Sequence, residues 1–71
     1  MTPKTKPLES FFAARLATLR EARGLTQQQL ADAAGLHRTQ INRLEMGHWQ
    51  PRLPTLRKLA AALGVGIEQL A

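Results

Sequence analysis

The chain has 71 residues, enough for one small domain with a single hydrophobic core. It contains no cysteine, which excludes disulfides and thiolate metal sites, and two histidines cannot close a zinc site alone. Ten lysines and arginines against five acidic residues give a formal charge of +5, which favours a polyanionic partner.

No secretory signal or membrane-spanning segment is expected from the sequence. Its first ten residues, MTPKTKPLES, lack the apolar stretch of a secretory signal, and no apolar run approaches the roughly 20 residues that span a bilayer. We therefore expect a cytoplasmic protein with no membrane partner. Residues 1–7 should form a flexible basic tail, either a solvated leader or an arm that follows the DNA backbone or enters a minor groove.

The first predicted helix follows this tail. Apolar residues recur at helical spacing at Leu8, Phe12, Leu16 and Leu19, and Gly24 ends the pattern in the position of a left-handed cap. A second helix is predicted from Gln27 to about Ala34. Its start is indicated by Thr26 as N-cap, with Gln29 three residues later as the capping-box partner.

Three more helices complete the predicted fold. The third should run from about Arg38 to Met46 and stop at Gly47, and the fourth should run from about Leu53 to Leu63. A last short helix should place Ile67 and Leu70 in the core. The expected fold class is therefore all-α, a compact five-helix bundle over residues 8–71.

The second and third helices carry the main motif. They are joined through AGLH within the segment TQQQLADAAGLHRTQINRLEMG, which is the spacing of a helix-turn-helix. Gly35 at the bend permits a steep crossing, and the small residues Ala31 and Ala34 permit close approach. The third helix then projects outward and can enter a major groove about 12 Å wide.

The stretch GLTQQQLADAAGLHRTQINRLEMG, followed by QPRLPTLRKLAAALGV, resembles the Xre family of helix-turn-helix proteins. This family includes the lambdoid phage repressors and Cro, and the resemblance covers about residues 12–70. It implies a sequence-specific DNA-binding transcriptional regulator, a repressor, whose third helix enters the major groove of an inverted-repeat operator. It also implies a homodimer, either preformed or formed only on double-stranded DNA.

The resemblance also implies which side chains contact the bases. Arg38, Thr39 and Arg43 match the principal base-reading positions, with Asn42 and Gln40 beside them. Arginine can pair bidentately with guanine, asparagine or glutamine with adenine, and a threonine methyl can meet a thymine methyl. The alternatives are that this polar face is merely solvated or that the arginines contact only phosphates.

A second group of residues is predicted to contact the sugar-phosphate backbone. Gln27 matches a family glutamine that binds a phosphate, whereas Trp49 departs from the family pattern. Trp49 is expected to stack on a sugar, to cover the core edge or to lie in a dimer contact. The predicted phosphate-binding residues are Gln27, Gln28, His37, His48, Trp49 and Arg52.

Arg20 and Glu45 match a family pair that forms a largely buried salt bridge between the first and third helices. Here they are expected to be structural, and the alternative is an exposed pair that contributes little. The predicted dimer surface lies in the C-terminal part, from the loop around Arg52 and Leu53 to Val65, Ile67 and Leu70. These apolar residues could instead close the core.

Other function classes have little support in the sequence. No serine, histidine and carboxylate fall in a nucleophile arrangement, and there is no glycine-rich phosphate loop, so no enzyme, cofactor or metal site is expected. The alternative to a DNA-binding regulator is an antitoxin or adaptor whose helix-turn-helix fold mainly binds a toxin or another protein partner.

Overall fold

The computed structural model describes residues 7–70, with side chains from residue 11 onward. Four α-helices follow one another: α1 (Pro7–Ala22), α2 (Gln27–Ala34), α3 (Arg38–Glu45) and α4 (Leu53–Leu63). A 3-10 helix, Ile67–Gln69, closes the order. Residues 1–6 of the predicted tail and residue 71 lie outside the described residues. Over the described part of the chain, no helix combines the length and the apolar character needed to cross a bilayer.

The prediction of five helices is wrong, although the chain is all-helical over residues 7–70 as expected. The segment after α4 forms only a three-residue 3-10 turn. Its bonds run from Gln69 N–H to Gly66 O and from Leu70 N–H to Ile67 O, each at 3.0 Å, which is the three-residue spacing of a 3-10 helix. The hydrogen bonds of this segment span three residues and not four, so a single 3-10 turn forms in place of the predicted α-helix.

Both ends of α2 are capped, and the cap at its C-terminal end makes the tight turn into α3. The predicted capping box is confirmed: Thr26 Oγ1 accepts from Gln29 N–H at 3.0 Å, and Gln29 Oε1 accepts from Thr26 N–H at 2.9 Å. At the other end, Gly35 adopts a left-handed conformation with φ of 71°. Leu36 N–H then donates back to Ala31 O at 2.8 Å, which turns the chain at once into α3.

The core lies where all four α-helices meet. α3 supplies only two fully buried side chains, Ile41 and Leu44, at i and i+3. The remaining fully buried large residues come from the other helices and from the residue that follows the 3-10 turn; they are Leu16, Leu30, Leu59, Leu63 and Leu70. Because α3 contacts the core along one narrow stripe, most of its circumference is left for polar side chains.

Replacing Gly35 measures how much the left-handed conformation at this turn contributes to the free energy of unfolding. No atom lies within 4 Å of a Cβ built on Gly35, so the Gly35→Ala change adds no clash and its cost is the left-handed backbone alone. We expect a loss of about 1 kcal/mol in the free energy of unfolding, measured by urea denaturation. Gly35→Asn is the matched control and should lose less, since asparagine adopts this conformation more readily. Equal stability of Gly35→Ala and wild type would contradict this account.

Candidate nucleic-acid interface

The outer face of α3 carries the residues predicted to contact bases. Arg38, Thr39 and Arg43 are exposed, and Asn42 is half-buried. These four residues share one side of the helix, opposite the buried Ile41 and Leu44. The described side chains make no hydrogen bond that would occupy these four, so their donors and acceptors face solvent.

Gln40 differs from its neighbours on α3. Its Oε1 accepts from the backbone N–H of His37 at 2.9 Å, which places the Gln40 side chain at the start of the helix as a cap. This bond restrains the Gln40 side chain, and its NH2 group makes no hydrogen bond within the described side chains. His37 itself is exposed at the N-cap position. This cap was not predicted from the sequence. The available signal is the position of Gln40 three residues after His37, the same spacing as Thr26 and Gln29 at the start of α2.

The loop after α3 folds back beside its polar face. His48 N–H donates to Arg43 O at 3.0 Å. His48 and Trp49 line a shallow concavity together with Thr39, Gln40 and Arg43. Trp49 is 38% exposed. The loop therefore places an aromatic ring next to the side chains that are predicted to contact bases.

The first turn of α2 holds the two glutamines predicted to bind phosphates, and both amides have partners within the chain. Gln27 Nε2 donates to Glu45 Oε1 at 3.0 Å, and Gln28 Nε2 donates to Asp32 Oδ1 at 2.9 Å. The second pair has i, i+4 spacing, a pattern visible in the sequence. The first pair joins residues 18 positions apart, so no local spacing indicates it.

Arg20 and Glu45 join α1 to the end of α3. Arg20 Nε donates to Glu45 Oε2 at 2.6 Å, and Arg20 Nη2 donates to Glu45 Oε1 at 3.1 Å. The two side chains are only 13% and 7% exposed. The hydrogen bond to Glu45 raises the pKa of the Arg20 guanidinium above its ordinary value. Arg20 Nη1 also donates to Leu25 O at 2.8 Å, which fixes the turn before α2.

The segment from residue 37 to residue 52 is strongly cationic at its surface. Arg38, Arg43 and Arg52 are exposed, as are the two histidines. Glu45 is the only acidic residue in this segment, and it is 7% exposed and paired with Arg20. A phosphate backbone that approaches α3 therefore meets positive charge and no exposed carboxylate from this segment.

Comparison with known proteins identifies the family. A family model described as "Helix-turn-helix" matches residues 16–70. The chain belongs to this family. The predicted Xre-type assignment is confirmed, since relatives of the chain include phage repressors.

Two curated relatives and one solved structure show the extent of the likeness. A "hypothetical transcription factor" of Neisseria meningitidis is 35% identical over 68 residues, which cover 96% of this chain and 64% of the relative. The immunity repressor protein of Bacillus phage phi105 is 38% identical over 56 residues, 79% of this chain and 39% of the relative. The chain thus spans less than two thirds of either protein. The structure of the restriction-modification controller protein C.AhdI from Aeromonas hydrophila superposes with a TM-score of 0.89 at 35% identity, over 93% of this chain and 100% of that one.

The contribution of Glu45 to stability can be measured directly. Glu45→Ala leaves the Arg20 guanidinium largely buried without its carboxylate, so we expect a loss of about 3 kcal/mol in the free energy of unfolding. The control is Glu21→Ala, because Glu21 lies 3.7 Å from Arg20 and its side chain is 71% exposed. That change should cost less than about 0.5 kcal/mol. Equal losses in the two variants, measured by urea denaturation, would contradict a specific role for Glu45.

Proposed function

We propose that this chain represses transcription by binding an inverted-repeat operator sequence-specifically, with α3 in the major groove. The observation that carries the proposal is the geometry of α3: Ile41 and Leu44 anchor one stripe in the core, and the opposite face presents side chains without partners in the described part of the chain. The matched relatives are transcriptional regulators and repressors, which supports this role.

Each side chain on the outer face of α3 has a base edge that suits it. The guanidinium groups of Arg38 and Arg43 can each donate two hydrogen bonds to guanine O6 and N7. Asn42 can pair with adenine, and the Thr39 methyl can meet a thymine methyl. Gln40 can donate from its NH2 group, while its oxygen accepts from His37 N–H and holds the side chain in place.

The proposed backbone contacts surround this face. The backbone N–H groups in the first turn of α2 are available to a phosphate, and the helix dipole favours an anion there. Trp49 lies in the concavity beside Thr39 and Arg43, a position that supports stacking on a deoxyribose. The other proposed contacts come from Gln27, Gln28, His37, His48 and Arg52. These contacts set the register of the protein on the duplex, whereas α3 supplies selectivity.

A homodimer follows from the small number of base pairs that one helix can contact. Two half-sites about 34 Å apart on one face of the duplex would give useful selectivity. Leu53, 52% exposed, supports an interface at the start of α4. Leu70 is fully buried and closes the core of its own subunit. Within the predicted dimer surface, Leu53 is therefore the better candidate for a contact.

The matched proteins also bear on the two other function classes, enzymes and protein-binding antitoxins or adaptors. They are regulators and not enzymes, which supports a non-catalytic role for this chain in the cytoplasm, where operator DNA lies. The antitoxin or adaptor interpretation, in which DNA binding is secondary or absent, predicts a different observation: the chain would capture a stoichiometric protein partner from a native lysate.

Selection of bound duplexes from a random pool tests the proposed function. We expect an inverted repeat with half-site centres about 10 base pairs apart, or a multiple of that spacing. Failure to enrich any sequence would contradict sequence-specific binding.

The base-reading role of α3 can be tested on the selected duplex. Arg38→Ala and Arg43→Ala should each reduce the preference for that duplex over random DNA by about 5-fold to 150-fold, because each removes a bidentate contact worth about 1–3 kcal/mol. Weak, salt-sensitive binding should remain. Arg57→Ala is the matched control, since Arg57 is an exposed arginine on α4. Full discrimination in both α3 variants would rule out base recognition by these side chains.

A further inference from the structure

Glu45 accepts hydrogen bonds from two different parts of the chain. Its Oε2 accepts from Arg20 Nε at 2.6 Å, and its Oε1 accepts both from Arg20 Nη2 at 3.1 Å and from Gln27 Nε2 at 3.0 Å. Glu45 is the last residue of α3, and Gln27 is the first residue of α2. One carboxylate therefore joins α1, the start of α2 and the end of α3.

The bond to Glu45 fixes the orientation of the Gln27 amide. A carboxylate only accepts hydrogen bonds, so the NH2 group of Gln27, and not its carbonyl, faces Glu45. The second N–H of that NH2 group has no acceptor among the described side chains. The backbone N–H groups of Gln27 and Gln28 also lack an acceptor within residues 11–70. The remaining N–H of the Gln27 side chain, held in place by Glu45, therefore lies near two backbone N–H groups that have no acceptor within residues 11–70.

The charge of Glu45 does not oppose an anion at this place, because Arg20 neutralises it. The guanidinium donates to both carboxylate oxygens, and the two side chains are only 13% and 7% exposed. An unpaired carboxylate bonded to Gln27 would repel a DNA phosphate that approached the start of α2. The paired carboxylate can orient the amide without that penalty.

We propose that Glu45 is a positioning residue for the DNA backbone: it holds the Gln27 amide so that the second N–H donates to a phosphate. This inference rests on the proposed function. Because Glu45 ends α3, the phosphate contact at α2 and the base-reading face are held in a fixed relation by the same carboxylate. Gln28 is bonded to Asp32 on its own helix and has no such link to α3.

The test measures how much single phosphates of the DNA contribute to the binding affinity. The probe is the duplex selected by the wild-type protein, with one phosphate at a time replaced by an uncharged methylphosphonate. We expect one phosphate in each half-site at which neutralisation weakens wild-type binding by about tenfold, the effect of losing a hydrogen bond to a charged group. Gln27→Ala should weaken binding to the unmodified duplex by a similar factor and should be insensitive to neutralisation of that phosphate.

Glu45→Gln, assayed at a temperature where circular dichroism shows it to be folded, should lose sensitivity to the same phosphate although Gln27 is present. The double variant Gln27→Ala/Glu45→Gln should bind no more weakly than the weaker single variant. Gln69→Ala is the control, since Gln69 is an exposed glutamine in the 3-10 turn and belongs to none of the proposed DNA contacts; it should keep full sensitivity. A merely structural role for Glu45 would lower affinity without removing the response at one phosphate.

The outcomes separate this inference from the proposed function. Full sensitivity in Glu45→Gln, or independent effects of the two substitutions, would overturn the positioning role. If Gln27→Ala alters the response at no phosphate while the selected duplex is still bound specifically, the inference fails and the proposed function stands. A wild-type protein that selects no duplex would remove the proposed function itself.

A measurement on the wild-type protein keeps the inference testable if Glu45→Gln does not fold. The side-chain NH2 signals of Gln27 in nuclear magnetic resonance should show restricted motion, because the group is bonded to Glu45. Gln50, an exposed glutamine in the loop after α3, is the internal reference. Equal mobility of the two amides in the free protein would overturn the proposal.

Discussion

The position of α3 depends on the ion pair between Arg20 and Glu45. α3 has eight residues, which is too short for a helix to be stable alone, and it buries only Ile41 and Leu44 completely. Two buried side chains fix the depth of the helix in the core but constrain its ends weakly. The ends are held by polar contacts: Gln40 caps the first turn, and Glu45 ties the last turn to Arg20. The proposed role of α3 in base recognition requires such restraint, because side chains must match base edges closely.

The same ion pair shapes the electrostatics of the proposed interface. Glu45 is the one carboxylate between residues 37 and 52, and its burial against Arg20 removes negative charge from a surface that carries Arg38, Arg43 and Arg52. A hydrophobic residue at position 45 could also fill that space. It could not accept the bond from Gln27 Nε2, so the link to the start of α2 would be lost. The carboxylate therefore gives this fold a connection between helices that packing alone does not supply.

Much of the fold could be predicted because its signals are local. The Thr26 and Gln29 pair marks the start of α2, and glycine marks its end, so the predicted and observed bounds coincide. The predicted fifth helix is wrong because the spacing of Ile67 and Leu70, i and i+3, fits an α-helix and a 3-10 helix equally well. The contact of Gln27 with Glu45 could not be predicted from spacing, since it depends on how two helices cross in three dimensions.

The polar residues of the interface fall into two groups with different physical constraints. Arg38, Thr39 and Arg43 are exposed and make no side-chain hydrogen bond within residues 11–70, so changing them alters few contacts that hold the fold. Gln27, Gln40 and Glu45 are each bonded to another part of the chain, so changing them disturbs the placement of a helix. Under the proposed function, recognition can vary at the first group while the second group keeps the geometry that presents it. This separation lets one small scaffold support different DNA sequences without a new core.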